Sequence, residues 1–228
     1  MKASDIMTSP VITVGPDTLV RHIAGLLFEH RISAVPVLEK GKLVGIVSEA
    51  DLLHRHEIGT DRSASSWWLQ LFSADRPIAD YVKSHATRAS DIMTRDVVSV
   101  TPDTPVAEIA ALLEKRGVKR VPVLQDARLA GIVSRSNLVQ ALAAKGRLMN
   151  VGDSGDSAIR ARLSAELERQ PWWPIVSNVI VTDGVVHYFG MVDSEAQRQP
   201  ARIAAENVPG VRGVEDHRFL STVLAWSV

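Results

Sequence analysis

Two peptides in this chain carry residues whose types and spacing could do chemistry. GIVSEADL places Ser48 three residues before Asp51, and GIVSRSNL places Ser134 three residues before Asn137. Each serine stands where a β-rich run gives way to a helical pattern, so the N–H groups of the first helical turn are available to hold an anion. Asp51 adds a carboxylate, whose two oxygens accept hydrogen bonds from hydroxyl groups.

The same spacing also has a structural explanation. Ser-x-x-Asp ahead of two leucines resembles a capping box, in which both side chains satisfy donors at the start of a helix. The tetrapeptide alone favours capping. Its recurrence within a longer set of repeated motifs favours ligand binding, because capping does not explain the rest of the set.

The two peptides belong to an internal repeat. Residues 3–53 and 89–139 align without a gap at a constant offset of 86 positions, and about half of the aligned residues are identical. ASDIMT, PDT, VPVL and GIVS recur in the same order. An ungapped match of this length indicates two copies of one structural unit.

Each copy predicts the same short series of elements. A β-rich run (VITV or VVSV) is followed by a helix, with Asp17 or Thr18 as the N-cap in the first copy. Two strands joined by a turn at 39–41 come next, and a short helix begins at Ser48. The resulting β-α-β-β-α unit is too small to bury its own faces well, so we expect the two copies to pack around a shared core.

The repeated motifs resemble a pair of CBS domains, also called a Bateman module, over roughly residues 1–142. The resemblance implies that an adenosine-containing ligand (AMP, ADP, ATP or S-adenosylmethionine) binds in clefts between the repeats. It also implies a regulatory role, without catalysis, and pairing of the modules into a homodimer.

The last third of the chain has a different pattern. A helix, two β-rich runs around Asp183-Gly184, a helix near Pro200 and a final strand give the order α-β-β-α-β. Gly184, Gly190 and VPGVRGVED resemble a BON domain over residues 156–224. This resemblance implies contact with a phospholipid surface or a protein partner. For Trp172 and Trp173 we expect a packed core cluster rather than a membrane interface.

The predicted fold class is therefore α+β, with two β-α-β-β-α CBS repeats packed as a pseudo-symmetric pair and a small αββαβ BON domain after them. The predicted domains are 1–56 (first CBS domain), 57–88 (a linker and a helix running into the second repeat), 89–145 (second CBS domain), 146–155 (linker) and 156–228 (BON domain).

The resemblance assigns candidate site residues at matching positions in the two copies. Those for ribose and phosphate are Ser48, Asp51, Ser134, Asn137 and Arg135. Those for an adenine slot are Ile12, Thr13, Ala34, Val35, Val98, Ser99, Arg120 and Val121. Further phosphate candidates, for which a solvated surface is the alternative explanation, are Lys119, Arg116 and His30.

The two copies differ at the key acceptor. Asp51 suits the paired hydroxyls of a ribose, whereas Asn137 lacks the charge that strengthens such hydrogen bonds. We therefore expect one competent nucleotide site, centred on Asp51, rather than two equivalent sites.

Composition and motifs exclude several classes of function. The 26 basic and 26 acidic residues balance, which argues against general nucleic-acid binding. The chain has no cysteine, and no nucleophile, phosphate-loop or metal-triad motif appears. His54 and His56 are two residues apart and do not share a helix face, so no metal site is expected.

The sequence also bears on location and role. The N-terminus lacks the apolar core of a signal peptide, so a cytoplasmic protein is expected, with peripheral membrane association through the BON domain as an option. The leading hypothesis is a regulator that senses an adenosine ligand. The alternative is a structural adaptor that binds no ligand.

Overall fold

The computed structural model describes residues 1–53, 85–144, 154–174 and 177–220. Most of the predicted segment 57–88 and of the predicted linker 146–155 lies outside this part of the chain. The described helices are α1 (Ala3–Ile6), α2 (Val20–Glu29), α3 (Glu49–Leu52), α4 (Ala89–Ile92), α5 (Val106–Lys115), α6 (Arg135–Ala144), α7 (Ser154–Leu167) and α8 (Arg198–Glu206). The described strands are β1 (Ala34–Glu39), β2 (Lys42–Ser48), β3 (Arg120–Gln125), β4 (Arg128–Ser134), β5 (Asn178–Thr182), β6 (Val185–Phe189), β7 (Met191–Val192), β8 (Gly213–Asp216) and β9 (Phe219–Leu220).

The chain folds into two compact units that exchange the opening segments of the repeats. One unit is Ile12–Val98, and the other combines Met1–Val11 with Ser99–Val228. In the first unit, Thr94 pairs with Ile46 of β2 through backbone hydrogen bonds of 2.9 and 3.0 Å. In the second unit, Thr8 pairs with β4 in the same way. Each DIMT opening therefore packs on the hairpin of the other repeat.

Each repeat body is built on a two-stranded hairpin, β1–β2 or β3–β4. The predicted strand before α2 is much shorter than expected, because only Val14 forms a bridge, with Val37 of β1. The helix N-cap was also predicted wrongly. Leu19 is the N-cap of α2, since the Thr18 hydroxyl instead accepts a hydrogen bond from the Gly15 N–H at 3.1 Å and closes the preceding turn.

The helix predicted to run into the second repeat is interrupted. Ala86 and Thr87 are not helical, and Arg88 forms a bridge with Leu19 before α4 begins. The Arg88 guanidinium also donates to an Asp17 carboxylate oxygen at 2.9 Å. These contacts hold the segment extended where the sequence pattern is helical.

The glycine of each GIVS motif allows an opening segment to approach the hairpin closely. A Cβ on buried Gly131 would lie 2.5 Å from the Met7 sulfur, and a Cβ on Gly45 would overlap the Met93 side chain in the same way. Both methionines belong to the DIMT openings. The strands that end in Ser48 and Ser134 are thus each covered by a methionine of the exchanged opening.

The C-terminal domain has the predicted order α7-β5-β6-α8-β8. β5 and β6 form an antiparallel hairpin around Asp183-Gly184, and β8 pairs with β6 in parallel. The Tyr188 hydroxyl donates to the Ala201 carbonyl of α8 at 2.7 Å within the buried core. Trp173 packs edge-on against Tyr188 with ring centroids 5.5 Å apart, so it belongs to the core cluster. No helix in the described residues is long and apolar enough to cross a membrane.

The two hairpin turns adopt matching backbone conformations in the two repeats. Lys40 and Gly41 have φ angles of 50° and 79°, and the matching Asp126 and Ala127 have 49° and 61°. Both exposed turns therefore need left-handed conformations, which cost a non-glycine residue about 1 kcal/mol. We expect Ala127→Gly to raise the free energy of unfolding by up to about 1 kcal/mol, measured by urea denaturation.

Gly41→Ala is the matched control. It should lower the free energy of unfolding by a similar amount, because it puts a Cβ on a residue with a φ of 79°. That Cβ meets nothing within 4 Å, so no clash adds to the cost. Changes of the same sign in the two variants would contradict this account of the turns.

Candidate ligand-binding site

The Ser48–Asp51 motif joins the end of β2 to the first turn of α3. Ser48 donates two hydrogen bonds to Asp51 Oδ2, one from its backbone N–H and one from its hydroxyl, each 2.9 Å long. Asp51 is only 8% exposed. The capping box considered from the tetrapeptide is therefore present. A carboxylate accepts up to about four hydrogen bonds, so capping and ligand binding are compatible roles for Asp51.

Two of the predicted adenine-slot residues of the first copy, Ala34 and Val35, lie beside this motif in the β1–β2 hairpin. Ala34 pairs directly with Ser48 across the β1–β2 hairpin. Ala34 and Val35 are buried, whereas Ile12 and Thr13 are half-buried and precede the bridge to β1. Strand backbone, apolar side chains and a carboxylate thus meet where β1 begins and β2 ends.

The Ser134–Asn137 motif repeats the capping geometry at the start of α6. Ser134 donates to Asn137 Oδ1 from its N–H at 2.8 Å and from its hydroxyl at 2.7 Å. The amide nitrogen of Asn137 donates onward to Thr8 Oγ1 at 3.1 Å and to Gln140 Oε1 at 3.4 Å. An ionised aspartate has no hydrogen to donate, so the difference between Asp51 and Asn137 has a structural explanation.

The other predicted residues of the second copy are less uniform than those of the first. Arg120 is half-buried and pairs with Ser134 across the β3–β4 hairpin, and Val121 beside it is buried. Ser99 is exposed at the start of the same unit, whereas half-buried Val98 belongs to the other unit. Arg120 and Val121 therefore lie beside the second motif, and Val98 and Ser99 precede the bridge from Val100 to Val123 of β3, as Ile12 and Thr13 precede the matching bridge in the first copy.

The cationic candidates divide into two groups. The Arg135 N–H donates to the Lys119 carbonyl at 3.1 Å, so these two exposed residues flank Ser134. Arg116 and His30 instead lie at the C-terminal caps of α5 and α2. Positive charge at a helix C-terminus is favoured by the helix dipole, so Arg116 has a structural role there that does not require a phosphate.

Gln140 extends the hydrogen bonds of Asn137 into the C-terminal domain. Its Oε1 accepts a hydrogen bond from Asn178 Nδ2 at 3.0 Å, and the same nitrogen donates to the Ile6 carbonyl at 3.1 Å. Asn178 begins β5 and is buried. This amide network (Asn137, Gln140 and Asn178) joins the second motif, α1 and β5 within one compact unit.

Arg160 of α7 makes a second link from the C-terminal domain to the opening segment. Its guanidinium donates to the carbonyls of Ser4 at 2.5 Å, Met7 at 2.7 Å and Val179 at 2.7 Å. Burial lowers the pKa of Arg160 to about 10, against the opposing effect of Asp5. Arg160 therefore stays protonated at neutral pH and keeps all of these donors.

Sequence reasoning missed Thr8, Gln140, Asn178 and Arg160. Thr8 carried a signal, because it ends a DIMT motif that recurs in the repeat. The other three act through partners that are far away in sequence, as with Arg160 and Ser4, which are 156 positions apart. Local patterns do not indicate such contacts.

Comparisons with known proteins agree with this architecture. The family model for the CBS domain matches residues 3–57 and 89–144, and the model for the BON domain matches residues 155–217. The chain is 32% identical over 154 residues to an uncharacterized protein of Methanocaldococcus jannaschii, covering 62% of this chain and 91% of that protein.

Two further relatives match a similar share of the chain. The CBS domain-containing protein YhcV of Bacillus subtilis is 26% identical over 135 residues, covering 59% of this chain and 80% of that protein. The crystal structure of CBSX2 in complex with AMP is 29% identical, with a TM-score of 0.55, and the match covers 64% of this chain and 99% of that one. The chain therefore belongs to the CBS-domain family, as a tandem CBS protein with a C-terminal BON domain.

Proposed function

We propose that this protein is a non-catalytic regulator that binds an adenosine-containing ligand at the Ser48–Asp51 motif. The observation that carries the proposal is the buried Asp51 carboxylate at the junction of β2 and α3, beside Ala34 and Val35. A carboxylate forms charge-assisted hydrogen bonds with the two neighbouring hydroxyls of a ribose. Strand backbone with apolar side chains suits the edge and faces of an adenine.

The similarity to CBSX2 supports this class of ligand. That structure was determined in complex with AMP, and the chain covers 99% of it. AMP is therefore the first ligand to test, followed by ADP, ATP and S-adenosylmethionine. The exposed Lys119 and Arg135 beside Ser134 would contact a phosphate only if a second ligand bound at that motif.

The hydrogen bonds of the second motif favour one ribose site over two. Asn137 already uses its oxygen for Ser134 and its nitrogen for Thr8 and Gln140. A ribose at this motif has to displace those bonds, and it meets a neutral amide in place of a carboxylate. Asp51 is therefore the proposed ribose acceptor, and Asn137 is proposed to hold the C-terminal domain.

The BON domain is the proposed output of the regulator. The amide network and Arg160 attach it to the second repeat and to α1. A change in the packing of α1 therefore reaches β5 directly. We propose that the BON domain then contacts a phospholipid surface or a protein partner.

A structural adaptor without a ligand is the second candidate. The structural use of Asn137 favours it, because one copy of the motif has an explanation that needs no ligand. Both candidates include self-association through the CBS repeats. Val139 and Leu142 on α6 are 66% and 74% exposed, and a homodimer would cover them.

The ligand proposal predicts a specific effect of Asp51→Asn. Asparagine preserves the cap, as Asn137 does in the second copy, but removes the charge. Losing a charge-assisted hydrogen bond costs about 1.5–3 kcal/mol, so we expect AMP affinity to fall about tenfold to a hundredfold in calorimetric titration of the full chain.

Glu39→Gln is the control, because it removes an exposed carboxylate at the opposite end of the β1–β2 hairpin from Ser48, and it should leave AMP affinity unchanged. If neither AMP nor the other adenosine compounds bind to the folded wild-type protein, the adaptor is the correct function.

The output proposal predicts that Asn178→Asp loosens the attachment of the BON domain. The new carboxylate faces the acceptor oxygens of Gln140 and Ile6, so we expect unfolding free energy to fall by about 1–3 kcal/mol. Hydrogen exchange should quicken in residues 3–8. Asn207→Asp, at an exposed position after α8, is the control, and equal exchange in the two variants would rule out a special role for Asn178.

A further inference from the structure

Three side chains of the BON domain that the proposed function does not use converge on one face of its sheet. His187 of β6 and Glu215 of β8 are directly paired in the parallel ladder. His217 follows Glu215 by two residues, a spacing that returns a side chain to the same face. The His217 N–H also donates to the Tyr188 carbonyl at 2.8 Å, which continues the pairing beyond β8.

The donor atoms of these side chains form a nearly equilateral triangle. His187 Nδ1 lies 3.2 Å from His217 Nε2 and 3.4 Å from Glu215 Oε2, and the remaining side measures 3.3 Å. Zinc bonds of about 2.0–2.1 Å in tetrahedral geometry separate the ligand atoms by about 3.3 Å. The triangle therefore has the size of one face of a zinc coordination tetrahedron.

We propose that His187, Glu215 and His217 form a binding site for a divalent transition-metal ion, with zinc as the best fit. Two imidazoles and a carboxylate suit zinc and its transition-metal neighbours, whereas magnesium and calcium prefer ligand sets made of oxygen. Three protein ligands leave a fourth coordination position for water or a partner's donor atom. Glu215 and His217 are exposed, so that position is open to solvent.

The surroundings hold the ligands in place before any ion arrives. His187 is only 5% exposed. The ring of buried Phe189 stacks against His217, with centroids 4.7 Å apart and planes 13° apart. Two of the ligands are thus positioned by strand pairing and one by ring packing. Because the ligands are already ordered, metal binding costs less side-chain conformational entropy.

The sequence predicts no metal site here because His187 and His217 are 30 positions apart. Glu-x-His in a predicted strand is a weak signal, and only the β6–β8 pairing adds the third ligand. The same distances also permit hydrogen bonds among the three side chains. The experiment therefore has to distinguish a metal site from a hydrogen-bonded cluster.

The test uses the full chain without an affinity tag, dialysed against zinc and analysed for bound metal. We expect one zinc ion per chain, bound at micromolar or lower free concentration. Cobalt in place of zinc should give the visible absorption of a four- or five-coordinate site. Magnesium should not compete.

His217→Gln and Glu215→Gln change exposed ligands and should each weaken zinc binding by at least about tenfold. His22→Gln, at an exposed position on α2, and the double variant His54→Gln/His56→Gln should bind zinc as the wild type does. Absence of zinc uptake by the wild type, uptake unchanged by the His217 and Glu215 variants, or uptake lost in either control would overturn the proposal.

Discussion

The hydrogen bonds from a serine to the side chain three residues later set the geometry on which both repeats depend. They close the junction between β2 and α3 and between β4 and α6, and their lengths, 2.7–2.9 Å, are nearly the same in the two copies. The acceptor is a carboxylate at Asp51 and an amide at Asn137. The amide also carries an NH₂ group that donates hydrogen bonds, which an ionised carboxylate lacks. This difference separates the roles proposed for the two copies.

The exchange of opening segments gives the amide nitrogen of Asn137 an acceptor in the other repeat's opening. Because the first opening packs on the second repeat, Thr8 lies within hydrogen-bond distance of Asn137, and Ile6 lies within reach of Asn178. The BON domain thus binds a segment that the second repeat also binds. Arg160 strengthens the junction by donating to three carbonyls. Because its guanidinium is buried, loss of these hydrogen bonds would lower the free energy of unfolding.

In the BON domain, strand pairing brings together the residues of the proposed metal site, which form no continuous sequence motif. Its buried core, from α7, the β5–β6 hairpin and α8, leaves the opposite sheet face to His187 and Glu215. A parallel pairing brings them together, and the alternation of side chains along a strand adds His217. The proposed metal ion and the proposed adenosine ligand depend on separate residues, so either proposal can hold without the other.

Much of the architecture was determined by the sequence alone. The β1–β2 hairpin and the turn at Asp183-Gly184 follow from local patterns, because turn residues and strand alternation act over a few positions. The repeat follows from aligning the chain with itself, and the CBS and BON families follow from their recurring motifs. Short-range competition explains one error, in which the Thr18 hydroxyl closes a turn instead of capping α2. The interrupted helix before α4 instead reflects contacts of Arg88 with Asp17 and Leu19, about 70 positions away. Tertiary structure alone decided which hairpin each opening joins, that Asn137 donates to Thr8 and where His187 meets Glu215. Those contacts link residues 28 to 129 positions apart and depend on packing that no local pattern records.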